Sequence, residues 1–364
     1  MHHLCRVPAA ALIAAAGIHP VFAQTGLVQL CGALDGIEVP ARAIGLPSGP
    51  AAVTSAVQVP ASPRTTDARG EIVLELPSHC RLQGTIGPVD PEAPPVRFNV
   101  NLPERWNGKA LHSGGGGLGG TLNTAPGEKA FGRFDPQPYD DSYPLTDGYA
   151  TFGGDDGHAR GDVGFIYNDE ALRNWAGDSL KKTRDVAVWL IERAYGRGPQ
   201  RLYFSGESAG GREAMFVTQR FPQAYDGAIA VTPVLGWNYT HIADNHIRTA
   251  LLEGWLDAAA IALIADTTRA ACDADDGLVD GILARYMECR MDPYLLRCPN
   301  GTIGPGCLSD AQIASLNAIR EPWATTVPFA HGVNRFPGYG VTGDEDNPDN
   351  QYAFYMVGTT PPVH

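Results

Sequence analysis

Apolar and polar positions alternate along several short stretches of this chain. Val96-Arg97-Phe98-Asn99-Val100-Asn101-Leu102 has the two-residue period of a half-buried strand, and Pro103 stops it. Residues 72–76, 80–86, 109–112, 149–152 and 228–231 read as further strands. Residues 178–195 carry the period of a helix instead. Leu180, Val186, Val188, Leu190, Ile191 and Ala194 supply its apolar face, and Gly196 ends it. Residues 250–265 and 310–319 are later helical stretches. Residues 26–69 are rich in Pro and Ala with weak periodicity, so loops and short strands are expected there.

The order of these elements up to Val231 predicts an α/β sheet, mostly parallel in this part, with right-handed crossovers. From about Gly236 helical stretches alternate with loops rich in Cys, Pro and Gly. This predicts a core over 24–235 and an inserted lid over 236–364. At the N-terminus, Arg6 precedes an apolar run over 7–18, and Val21-Phe22-Ala23 resembles a cleavage site before Gln24. Residues 1–23 therefore read as a secretory signal peptide rather than a membrane anchor. Export ending in periplasm or medium is expected. The net charge of -13 argues against nucleic acid as a partner. Six cysteines lie beyond the leader, an even number that suits disulfides in an exported chain. Pairing by proximity gives Cys31–Cys80, Cys272–Cys289 and Cys298–Cys307. A four-cysteine zinc site is the alternative, though no C-x-x-C pair is present.

Candidate chemistry concentrates at Tyr203-Phe204-Ser205-Gly206-Glu207-Ser208-Ala209-Gly210-Gly211-Arg212. A strand running into Gly-x-Ser-x-Gly and then a helix is the order of a nucleophile elbow, with Ser208 as its serine. The bland reading is a chance match among loop glycines. Ser113-Gly114-Gly115-Gly116-Gly117-Leu118-Gly119-Gly120 follows a strand directly and would let backbone N–H groups point into a site. It lacks the Lys-Ser/Thr of a phosphate loop and the helix opening of a dinucleotide site. A flexible linker is its bland reading. His158, at a strand end, is either near the site or structural. Arg212 is either an anion contact or a support at the helix start. Residues 272–282 cluster hard oxygen ligands. The carboxylates of Asp273, Asp276 and Asp280 and the carbonyls of Leu278 and Ile282 would suit Ca²⁺. The spacing departs from an EF-hand, because the glycine comes one place early and Ala284 replaces the last ligand. A solvated acidic turn is the bland alternative.

Together, Trp106-Asn107-Gly108 before the glycine run, residues 155–158, residues 206–212 with Tyr225-Asp226-Gly227, and the acidic loop resemble the tannase/feruloyl esterase family. That family includes the mono(2-hydroxyethyl) terephthalate hydrolases, and the resemblance runs from about Cys31 onward. It implies an α/β-hydrolase core with a large lid carrying structural Ca²⁺, and hydrolysis of small aromatic-acid esters such as ferulate, gallate or terephthalate. By matching, Ser208 is the nucleophile and the N–H groups of Ala209 and Gly117 are the oxyanion donors. Asp273, Asp276, Leu278, Asp280 and Ile282 match calcium positions, and the three cysteine pairs match the family's usual ones.

Two departures follow. Glu207 stands where the family commonly has a Cys bonded to another beside the catalytic His. The family's Asp and His come after the lid, and no such segment appears after Ile282, where His331 and His364 are the later histidines. The expectation is a fragment cut within the lid, lacking its Asp and His and folding poorly alone. A catalytically inactive, Ca²⁺-stabilised binding module is the alternative, and another kind of serine hydrolase a third.

Overall fold

In the computed structural model, residues 26–66, 72–124, 142–299, 304, 306–348 and 352–363 are described. The expected leader and His364 lie outside them. The chain divides into two compact units, Met1–Leu235 and Gly236–His364.

The first unit is built on an eight-stranded sheet. Its strands are β1 (Glu38–Val39), β2 (Ala51–Val59), β3 (His79–Ile86), β4 (Val96–Pro103), β5 (Lys109–Ser113), β6 (Ala150–Gly154), β7 (Arg201–Glu207) and β8 (Gly227–Val231), in the order β1-β2-β3-β4-β6-β5-β7-β8. From β1 to β6 neighbouring strands run antiparallel. The pairs β6–β5, β5–β7 and β7–β8 are parallel. The parallel half agrees with the mostly parallel sheet read from the sequence.

The antiparallel half begins with helix α1 (Leu27–Leu34), absent from that reading, and with strand β2, nine residues long where only short strands were expected. The Ala, Ser, Thr and Gln of β2 give it a weak hydrophobic period; its strand form comes from pairing along β3. Residues 72–76 form only a two-residue strand, Ile72–Val73, plus an isolated bridge at Leu76. The strand β4 is buried on both faces rather than half-buried. Its alternate Asn99 and Asn101 are tolerated because both side-chain amides donate to the Thr124 carbonyl, at 2.8 and 2.7 Å.

The core of this unit gathers Phe98, Val100, Phe152, Leu190, Ile191 and their neighbours. Helix α2 (Asp169–Arg173) precedes α3 (Ser179–Tyr195), which lays its apolar face on the sheet and ends at Gly196 in the left-handed region. Helix α4 (Ala209–Arg220) follows β7.

The second unit contains α5 (Trp237–Leu251), α6 (Ala258–Cys272) and α7 (Asp310–Arg320). Residues 250–265, expected as one helix, are split. Asp257 accepts the Ala260 N–H at 2.8 Å and starts α6 afresh. Apolar residues of all three helices, among them Leu251, Ile264 and Leu316, form this unit's own core. The structure contains all three expected disulfides, Cys31–Cys80, Cys272–Cys289 and Cys298–Cys307. They leave none of these six thiols for zinc. No described helix is long and apolar enough to cross a membrane.

Candidate active site

Ser208 sits between β7 and α4 with φ 56° and ψ -115°. A side chain with a Cβ rarely holds such a backbone, and its strain must be fixed by neighbours. Here the Ser208 N–H donates to the Val231 carbonyl at 3.0 Å, while the Ser208 carbonyl accepts from Arg212 at 3.1 Å and Val234 at 3.2 Å. The turn is tight. A Cβ on Gly206 would stand 2.3 Å from the Gly210 carbonyl oxygen. Ser208 is half-buried and the following Ala209 is buried at the start of α4, where N–H groups lack helical partners and favour negative charge.

The glycine run is packed against this turn. A Cβ on Gly114 would meet the Gly210 Cα at 2.8 Å, and one on Gly210 would meet the Gly115 carbonyl at 2.6 Å. The two motifs are thus adjacent by backbone contact, which only residues without Cβ allow. The Gly114 N–H donates to the Ser205 carbonyl at 2.8 Å, continuing the β5–β7 pairing into the loop. Gly117 takes φ 59°, with nothing within 4 Å of where a Cβ would be.

The remaining motif residues brace this arrangement. Trp106 stacks on Tyr195 and its indole N–H donates to the Lys109 carbonyl at 2.7 Å. Asp155 accepts the Arg97 N–H at 2.9 Å and pairs with its guanidinium. Asp226 accepts the Leu202 N–H at 2.8 Å. Tyr225 meets His112 Nδ1 at 2.9 Å, and burial pushes the imidazole of His112 down to about 3. His158 is buried against Phe165, 4.4 Å between ring centroids, and burial lowers its pKa too. Arg212 lies over the Trp175 ring at 5.1 Å. Glu207 is half-buried, and its backbone pairs with Val231. His331 is an exposed residue of the second unit with φ 62°.

Sequence reading missed two buried carboxyl groups beside the glycine loop. Asp156 and Glu213 are 6% and 2% exposed, and the Gly115 N–H donates to Glu213 Oε2 at 2.8 Å. An Asp and a Glu so far apart in sequence give no joint signal until the sheet brings the turn after β6 beside α4.

In the second unit, the Cys272–Cys289 disulfide closes the acidic loop. Its donors are of the type a hard cation takes. In this arrangement they serve the loop itself. Asp273 accepts the Gly281 N–H at 3.0 Å, Asp276 accepts from Leu278 and Ala284 at 3.0 Å each, and Asp280 accepts from Ile282 at 3.0 Å. Among the described residues no group of three or more His, Cys, Asp or Glu converges on one point. The donor chemistry suits Ca²⁺.

Comparison with known proteins places these features. A family profile described as "Tannase and feruloyl esterase" matches residues 80–359. An uncharacterized esterase of Agrobacterium fabrum is 33% identical over 85% of this chain and 56% of its own length. The mono(2-hydroxyethyl) terephthalate hydrolase of Piscinibacter sakaiensis is 29% identical over 70% of this chain and 46% of its own. The crystal structure of feruloyl esterase B from Aspergillus oryzae is similar in fold, with a TM-score of 0.64 at 23% identity, covering 91% of this chain and 62% of that one. The fold is that of the α/β-hydrolases. The chain spans about half the length of the curated relatives it matches.

Proposed function

Because the chain belongs to the tannase and feruloyl esterase family, we propose that it serves a serine carboxylic ester hydrolase of exported type. The observation that carries this reading is the strained backbone of Ser208 at the β7–α4 junction, with the glycine loop packed on Gly210. Ser208 attacks the ester carbonyl, and the N–H groups of Ala209 and Gly117 receive the oxyanion. The alcohol leaves with the proton the serine gave up, and water then hydrolyses the acyl-enzyme to the free acid and Ser208. No residue of this chain is assigned as general base. His112 is buried among Phe152, Phe204 and Tyr225, and His158 is stacked on Phe165.

The substrate class proposed is small esters of aromatic acids, of feruloyl, galloyl or terephthaloyl type. Support comes from relatives named feruloyl esterase B and mono(2-hydroxyethyl) terephthalate hydrolase. Three disulfides support an oxidising compartment, and the expected leader would deliver the chain there. The acidic loop is proposed to take a structural Ca²⁺ through Asp273, Asp276, Asp280 and the carbonyls of Leu278 and Ile282. Each carboxylate keeps lone pairs beyond those its N–H partners use, so the loop's own hydrogen bonds are compatible with a bound cation.

A fluorophosphonate probe tests the nucleophile. Ser208 is expected to label and Ser208→Ala to abolish labelling. Hydrolysis of methyl ferulate or methyl gallate in preference to long-chain esters is expected of the protein. A serine that stays unlabelled in a well-folded chain extended to the relatives' length would replace this reading with that of a binding module.

A further inference from the structure

Two buried carboxyl groups lie against the glycine loop and take no part in the acyl-transfer scheme. A Cβ built on Gly115 would stand 3.0 Å from Asp156 Oδ2 and 3.4 Å from Glu213 Oε1. Both acids thus converge on one glycine. Glu213 Oε2 also accepts the N–H of that residue at 2.8 Å. The loop at this point is held between the carboxyl groups and the backbone of Gly210, since a Cβ on Gly210 would meet the Gly115 carbonyl at 2.6 Å. Asp156 itself adopts φ 64°, a conformation a non-glycine residue keeps only when its surroundings impose it.

The charged surroundings do not relieve both acids. Asp156 faces Glu213 and Arg212 from α4, and Asp155 and His158 from its own turn. The Asp155 carboxylate is engaged by Arg97 of β4. Glu213 faces Asp156, Arg212, and Tyr225 before β8. The guanidinium of Arg212 lies over Trp175. Burial first, and the neighbouring negative charges second, push Asp156 well above the usual carboxylate range, and burial raises Glu213 as well. Two carboxylates in one dry site resist ionising together.

We infer that Asp156 and Glu213 hold one proton between them and that this pair clamps the glycine loop, making both acids positioning residues for the oxyanion donor at Gly117. One carboxyl group stays protonated beside the other's charge, while Glu213 keeps the Gly115 N–H. Loss of the shared proton leaves two like charges and loosens the loop. The catalytic consequence rests on the serine-esterase reading; the clamp itself does not.

Amide hydrogen exchange of peptides spanning residues 113–120 tests it, in the full chain over a pH series and corrected for intrinsic exchange. Wild-type protection is expected to fall about tenfold as the proton is lost. Asp156→Asn is neutral at every pH and keeps the shape of the acid, so its loop should stay protected, whereas Asp156→Ala should leave the loop unprotected throughout. Parallel loss in wild type and Asp156→Asn, or no loss in either, overturns the pair. A carboxylic-acid C=O infrared band should persist at neutral pH in the wild type and vanish in Asp156→Asn; its absence from the wild type also overturns the pair. Phosphonate labelling of Ser208 over the same series separates the two readings. A loop that titrates beside an unreactive serine keeps the clamp and defeats the esterase reading. Labelling whose pH profile is the same in wild type and Asp156→Asn defeats the positioning role.

Discussion

Burial raises the pKa of Glu213 from 4.5 to about 6. The folded chain therefore binds a proton there more tightly than the unfolded chain. Between those values the folded state carries the extra proton, so the stability that Glu213 contributes falls as pH rises and is lost above about 6, while Asp156, raised as well, prolongs the fall. At neutral pH the contribution lost is about 2 kcal/mol. Glu213→Gln cannot titrate and should flatten this part of the stability curve, measured by urea unfolding on both sides of the interval. An unchanged slope would place the titration elsewhere. The residues most legible in the sequence were those with unusual local grammar. Ser208 in Gly-x-Ser-x-Gly and the glycine run announced a backbone that bends tightly. Asp156 was visible within the 155–158 motif and Glu213 in no motif, and their pairing was illegible because it lies in a contact made by folding. Trp106, Asp155 and Asp226 were visible as motif members, yet their work is to brace turns and strand ends.

At the scale of elements, the period-two strands and α3 could be read because bulky apolar residues marked their faces. The strand β2 could not, since its small and polar residues acquire strand form from β3. Helix α1 was hidden in the same Pro- and Ala-rich stretch. Yet α1 is fastened to β3 by Cys31–Cys80, and its Leu27, Cys31 and Leu34 are buried in the core. The cross-link closes a long stretch of chain, which limits the unfolded state. Replacing both Cys31 and Cys80 with Ser should cost about 2–5 kcal/mol, read as a lower denaturant midpoint. A shift near zero would mean that α1 docks without help from the bond. The antiparallel half of the sheet thus depends on a covalent tie that spacing alone did expose.

For the molecule as a whole, the sequence marked a change of character near Gly236, and the chain divides between Leu235 and Gly236. Each unit has its own apolar core and its own disulfides. A net charge of -13 adds general repulsion, and the acidic loop concentrates some of it between Cys272 and Cys289. Calcium should therefore raise the melting temperature and EDTA should lower it, followed by calorimetry in low-salt buffer. The change is expected to disappear in Asp273→Asn combined with Asp276→Asn. An EDTA-insensitive melt would leave the loop as a self-contained acidic turn, as its backbone hydrogen bonds already permit.

The crowding around Ser208 also shapes the evolutionary freedom of the site. Side chains at Gly206, Gly210 and Gly211 would run into backbone atoms at 2.3, 2.6 and 2.5 Å, so variation there is closed by sterics whatever the substrate. Ala209 is buried. Glu207 is half-buried and held through its backbone. A substitution that leaves the turn standing is therefore steered to position 207, where the resemblance would put a cysteine, and even there one carboxylate oxygen of Glu207 is buried.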